Sequence, residues 1–336
     1  MGYWDFGFGF FCIFFDIYHQ LTGKWHKLLE LDKVKNAVKY YNNANLSEKE
    51  FLPYADGGSA AVDINPCTLY SIKNLFPDLL AISSDISVGE SPRALGFRSL
   101  YGKATYLPQN IENKSTFYYN SRQVFIHKNK EYSFTAKGGC NHEPHGHLCV
   151  GAFHIVKNGK RFIVDPGAGE YTYGYFKIWD DSYEGRYGEK IFVCSSLAHS
   201  VPIINGKPQP YNLRDDKAVV LEQTENSFAL DISKVYADKT DGVVVKYQME
   251  DKAIKVKYSC KGVESATFRF VAEYKPTVLG NQVNVEELSI TNDGGLTPKI
   301  STKDYSNHKA NLSTLYLIDY EVSGKNDVEV EFTFQF

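Results

Sequence analysis

Apolar residues recur at helical spacing twice near the start of the chain. Phe6, Phe10, Phe14, Ile17 and Leu21 fall close to the helical period over residues 3–22, and Gly23 follows as a natural C-terminal stop. Leu28, Leu31, Val34, Val38 and Tyr41 repeat the pattern over 25–41. Ser47-Glu48-Lys49-Glu50 reads as a capping box, and Asn65-Pro66 as an N-cap with proline at the first position of a helix running to about Leu75. The first part of the chain therefore predicts three helices and their loops. Beyond about residue 90 the period changes. Val124–Ile126, Ala152–Val156, Arg161–Val164, Val201–Ile204, Ala218–Leu221, Val243–Tyr247, Ile254–Tyr258, Thr267–Val271 and Val328–Phe334 are short strand candidates. Gly, Asn, Asp and Lys turns separate them, including the hairpin signal Lys157-Asn158-Gly159-Lys160. Many short strands in one stretch predict a large antiparallel β-sandwich. The expected class is α+β, with a helical domain over 1–85, a connection near 80–95 and a sandwich over 90–336.

Length agrees with this division, because 336 residues exceed one small domain. Hydrophobic residues at 43% and charged residues at 23% exclude general disorder. A net charge of −3 gives no reason to expect nucleic acid as a partner. Aromatics are abundant at 15%, which suits β-structure and also suits stacking on sugar rings. The six Cys form no C-x-x-C pair and no dense disulfide framework. No apolar run reaches the length of a membrane span. Phe8–Phe15 lacks the preceding basic residue and the following cleavage site of a signal peptide, so it reads as core helix.

The richest stretch for chemistry runs from Gly138 to Gly151 and holds three of the nine His, at 142, 145 and 147. If His145–Phe153 is extended, His145, His147 and Cys149 share a face. Two His so spaced bind one metal, or one binds while the other faces a substrate, or both are satisfied polar residues at a strand end. Asp165 ends a hairpin strand before Pro166-Gly167, where a turn alone would account for it. His199 precedes another strand, where a solvated loop is the plain alternative. There is no P-loop, no G-x-S-x-G and no dinucleotide fingerprint.

In order along the chain stand Gly2-Tyr3-Trp4 with an aromatic helix, then Gly138-Gly139 with Asn141, His145, His147, Gly151 and Phe153. Asp165-Pro166-Gly167 with Gly169 and Tyr171 follows, then Ala198-His199-Ser200 with Pro202, Ile204-Asn205-Gly206 and Gln209. This series resembles the heparinase II/III-like polysaccharide lyases, most strongly over 138–209. The resemblance implies an α/α toroid followed by a β-sandwich, with this chain the C-terminal portion of a longer protein. It implies a structural zinc ion on His147, Asp165 and His199, with Cys149 nearby, and catalysis by Tyr3 and His145. Asn141, Glu143 and Arg186 are the expected substrate contacts. The implied reaction is β-elimination on an acidic, uronate-containing glycan of heparin, heparan or alginate type. A tyrosine would move the proton, and a His would act as base or neutralise charge. This chain departs from the family pattern H-N-H-N-D, because Gly146, Leu148 and Cys149 replace its polar members. Two other functions remain open: a non-catalytic carbohydrate-binding or structural remnant, and a metal-dependent hydrolase built on the His/Asp cluster. The sequence leaves the sugar, the oligomeric state and the compartment open. A full-length parent could be exported.

Overall fold

The computed structural model describes residues 4–47, 50–57, 65–79, 116–177, 185–211, 216–237, 240–324 and 326–336. The chain divides into two compact units. One contains the helices. The other takes residues 52–57 out of the helical region and continues from 116. The expected connection at 80–95 lies outside the described residues.

Three α-helices form the described part of the first unit: Gly9–Thr22, Asp32–Ala44 and Pro66–Leu75. Gly23 closes the first in the left-handed conformation, as its position predicts. The Asn65 side chain caps the third by accepting the Cys67 N–H at 2.9 Å. The first helix buries Gly9, Cys12, Ile13, Phe15 and Asp16, whereas Phe6, Phe10, Phe14 and Leu21 are exposed. The buried stripe is thus turned away from the expected one, onto a neighbouring face of the helix. Gly9 explains the choice: a Cβ there would come within 2.4 Å of Thr68 Oγ1, so only glycine lets the first and third helices approach this closely. Asn74 on the third helix donates to the buried Asp16 carboxylate, which satisfies a charge that the apolar pattern did not reveal. The expected capping box at Ser47–Glu50 is not a helix start. Asn45–Ser47 and Glu50–Phe51 are instead two short antiparallel strands.

The second unit is a β-sandwich of three antiparallel sheets. The largest runs in the order 277–279, 282–285, 288–292, 327–335, 253–261, 242–249, 227–231 and 219–223. Its long strands alternate buried and open positions, the signature of a sheet packed on one face. A four-stranded sheet orders 298–306, 312–323, 265–272 and 202–204, and a five-stranded sheet orders 116–119, 124–128, 133–137, 153–157 and 160–163. All three sheets contribute to one core. Phe125, Phe134 and Phe153 come from the five-stranded sheet, Phe268, Phe270 and Tyr320 from the four-stranded one, and Tyr247, Tyr258, Phe332 and Phe334 from the eight-stranded one. Much of the high aromatic content is therefore structural. Strands such as Pro298–Ser306 are nearly all exposed, so no hydrophobic alternation marks them in the sequence.

Two connections leave this frame and carry the polar residues of interest. The first joins strand Ser133–Lys137 to its neighbour Phe153–Lys157. The second is the long excursion between Lys160–Ile163 and Pro202–Ile204. Phe270 meets Phe332 at 4.8 Å and Phe334 at 5.0 Å across the core. Phe270→Ala is expected to destabilise the sandwich by about 3–5 kcal/mol in denaturant unfolding. Leu312→Ala, at an exposed position, is expected to stay within about 0.5 kcal/mol.

Candidate functional site

The loop from Gly138 to Gly151 is not extended as expected. It is a succession of turns, His145 adopts a left-handed φ of 59°, and the strand begins only at Phe153. Strand alternation therefore does not bring His145 and His147 together. A carboxylate does. Asp56 Oδ2 lies 2.9 Å from His145 Nδ1, and Asp56 Oδ1 lies 3.1 Å from His147 Nε2. Tyr175 Oη donates to Oδ1 at 2.5 Å and Arg186 Nη2 donates to it at 2.6 Å. Burial opposes the charge on Asp56, but the donors His147 and Tyr175 and the Arg186 charge outweigh it and hold the carboxyl well below its ordinary range. Asp56 is thus ionised and can only accept, so the facing imidazole nitrogens carry hydrogens. In neutral His145 the lone pair is then on Nε2, and in neutral His147 it is on Nδ1.

His147 is almost wholly buried, and its Nδ1 has no hydrogen-bond partner. Its ring centroid is 5.5 Å from that of His199, another fully buried imidazole with neither nitrogen in a hydrogen bond. His199 Nδ1 lies 3.1 Å from Asp165 Oδ2. Asp165 spends its other oxygen on the turn, where Oδ1 accepts the Gly167 N–H at 3.0 Å. Its turn-forming role and its approach to His199 therefore coexist on separate oxygens. Burial raises the carboxyl of Asp165, yet His199, His147 and the Gly167 N–H bring it below its ordinary value. Burial would keep His147 neutral, but Cys194, Asp56 and Asp165 push it up to about 10. The orphaned nitrogens and the Asp165 oxygen fit zinc in chemistry, two imidazoles and a carboxylate being ordinary zinc donors. The fit in distance is looser, because the three donor atoms do not all fall within 4.8 Å of one another.

The other expected residues occupy distinct places. Asn141 is fully buried and donates to Gln209 Oε1 at 3.0 Å, which fixes the loop at this point. Glu143 is held by Lys137 at 3.4 Å and Arg122 at 3.2 Å. Arg186 is buried, and besides Asp56 its donors reach the carbonyls of Tyr175, His145 and Gly146. Cys149 packs beside Ala152 and Val201, and burial pushes its thiol up to about 12, so it is an inert core thiol. Tyr3 lies outside the described residues. The sequence reading missed Asp56, Tyr175 and Cys194. It also missed His154, a fully buried imidazole pushed down to about 3 by burial and Arg161. Asp56 stands in Tyr54-Ala55-Asp56-Gly57-Gly58, which reads as an ordinary turn, and nothing in that spacing links it to residues 145–186.

A cleft of about 350 Å³ opens beside this network, with His142, Glu143, His145, Arg186, Tyr187 and Tyr211 among its walls. The Tyr187 and Tyr211 rings stack at 4.8 Å. The cleft thus offers an oriented imidazole and an aromatic wall, with the Asp56–Arg186 ion pair beside them, and an imidazole with an aromatic wall suits a sugar ring.

No family model matches the chain, and no curated protein matches its sequence. Solved structures do match its shape. The crystal structure of heparinase III gives a TM-score of 0.67 at 12% identity over 98% of this chain. The heparan sulfate lyase HepC from Pedobacter heparinus gives 0.65 at 13% identity over 90% of it. The fold is that of the matched part of heparinase III. The chain spans about half the length of these structures, 52% of the first and 46% of the second. The heparinase III fold includes both the described helices and the sandwich, since the matches cover nearly all of this chain. Among the described residues no helix is long and apolar enough to cross a membrane.

Asp56 and Arg186 are both largely buried, so removing one strands the other. Asp56→Ala is expected to cost about 3–5 kcal/mol in chemical unfolding, and adding Arg186→Met is expected to recover part of that loss. Additive losses in the double variant would show that the two charges do not depend on each other.

Proposed function

We propose that this chain is the sandwich-bearing part of a polysaccharide lyase that cleaves uronate-containing glycans by β-elimination. The reading is supported most by His145, held by Asp56 at the wall of a cleft that also contains Arg186 and a tyrosine pair. In such a reaction the C5–H bond of the uronate breaks and its electrons form the C4=C5 double bond. The C4–O bond breaks and the leaving oxygen takes up a proton. The C5 proton is weakly acidic, so the adjacent carboxylate needs its growing charge offset. His145 has the orientation for this work, with Nδ1–H directed to Asp56 and the lone pair of the neutral ring on Nε2. Arg186 holds the Asp56 carboxylate that orients it. Tyr3 is proposed as the second proton carrier, by resemblance alone. His147, Asp165 and His199 would hold zinc, whose contribution is to tie together the two connections that carry the site.

A second reading has its own support. Gly146, Leu148 and Cys149 stand where the family pattern has polar residues beside the two imidazoles, and glycan binding without turnover would suit a site so altered.

Lyase action creates an unsaturated uronate that absorbs in the ultraviolet. Incubation with heparan sulfate, chondroitin sulfate and alginate is expected to generate that absorbance with at least one of them. His145→Ala is expected to lower the rate by about 10²–10⁴-fold. Binding to the same glycans with no absorbance gain would favour the second reading. Elemental analysis is expected to find zinc that is lost in His199→Ala, and retention of all zinc in that variant would remove the proposed metal centre.

A further inference from the structure

The other end of the same loop carries a second set of donors that neither the lyase reading nor its zinc centre uses. Cys140, His142 and Asp216 each place a ligand atom within 4.8 Å of the others, and among the described residues they are the one such trio of His, Cys, Asp or Glu. Asp216 is 1% exposed, and its Oδ1 accepts no hydrogen bond among the described residues. That oxygen lies 3.0 Å from His142 Nδ1 without hydrogen-bond alignment, while Oδ2 bonds the same nitrogen at 3.0 Å and the Asn141 N–H at 3.1 Å. A buried carboxylate oxygen with no donor is costly, and here it is aimed at a thiol and an imidazole.

The trio is also held in place before any ligand arrives. Ala218 N–H donates to Gly139 O at 2.9 Å, and the Gln123 side chain bridges Gly139 N–H and Ala218 O at 2.7 and 3.1 Å. These bonds fix the backbone one residue from Cys140 and two from Asp216. Cys140 is partly open and the His142 side chain is half exposed, so an ion has a way in. Thiol and imidazole are poor donors for calcium or magnesium and good ones for zinc and its neighbours.

We propose that Cys140, His142 and Asp216 form a separate binding site for a zinc-like divalent cation, which clasps the Gly138–Gly151 loop to the segment at Asp216. Three protein donors leave a fourth position for water. The site is independent of the lyase reading, since it uses none of His145, His147, Asp165 or His199.

The test is cobalt substitution of the chelator-treated chain under reducing conditions. Cobalt bound by Cys140 gives a sulfur-to-cobalt charge-transfer band. The band is expected in the parent and in His199→Ala and Cys194→Ser, and is expected to vanish in Cys140→Ser. His142→Ala, a change at a half-exposed side chain, is expected to weaken cobalt binding at least tenfold while the circular dichroism remains that of the folded chain. If Cys140→Ser fails to fold, His142→Ala decides alone. A parent that shows no band, a band that survives in Cys140→Ser, or unchanged affinity in His142→Ala would overturn the proposal. A band lost only in Cys194→Ser would place the thiolate at the other centre and would likewise overturn it.

Discussion

One carboxylate organises the polar heart of the sandwich. Asp56 receives the side chains of His145, His147, Tyr175 and Arg186 on its two oxygens, and its own N–H donates to His145 O at 3.2 Å. A carboxylate has about four lone-pair directions, so this one is fully committed. Because it is ionised, it also decides where protons sit. It accepts a hydrogen bond from the near nitrogen of each imidazole and so leaves the lone pair of the neutral ring on the other nitrogen. Without Asp56, His145 and His147 would be neighbours in sequence with unrelated orientations, since the loop between them is a turn and not a strand. With it, one ion ties a cleft residue to a candidate metal ligand.

The rigidity behind this arrangement is apolar. Strands Ser133–Lys137 and Phe153–Lys157 pair in register from Ser133 with Val156 to Ala136 with Phe153, which pins both ends of the His-rich loop. Tyr54, two residues before Asp56, donates its hydroxyl to Thr135 on one of those strands at 3.2 Å. Tyr247 Oη donates to Gly151 O at 2.6 Å, where the loop rejoins the sheet. His147, Asp165 and His199 are withdrawn from water, which strengthens the charge interactions among them. The same exclusion makes the network unforgiving, because each buried charge depends on a particular partner.

The fold was more legible than the site. Short strands with turn residues between them announce the sandwich, and the ends of the first and third helices are marked by Gly23 and Asn65. The buried face of the first helix was misread because large aromatic residues dominate any count of apolar positions, while the real contact runs through Gly9. The exposed strands near 300 leave no period to detect. Within the site, the residues around 147, 165 and 199 carry local motifs, and the structure brings Asp165 and His199 into contact with His147 close by. Asp56, Tyr175 and Arg186 are joined only by folding, and their separation in sequence hides them. Spacing identifies donors that share a loop, but it cannot identify the distant acid that receives them.

Charge balance links the two ends of the loop. Asp56, Asp165 and Asp216 are carboxylates drawn from three separate parts of the chain, and each is largely or wholly buried. Arg186 answers Asp56. Lys137, the buried amine nearby, is paired with Glu143 at 3.4 Å. Asp165 and Asp216 are met by imidazoles, His199 for one and His142 for the other. Imidazole compensates a carboxylate fully only when it carries a proton or shares a cation. A loop with Cys140 and His142 at one end and His145 and His147 at the other has the donor chemistry to share cations at both. Each end then meets an acid supplied from elsewhere in the chain, so charge pairing acts on the loop in addition to the packing that pins its two ends.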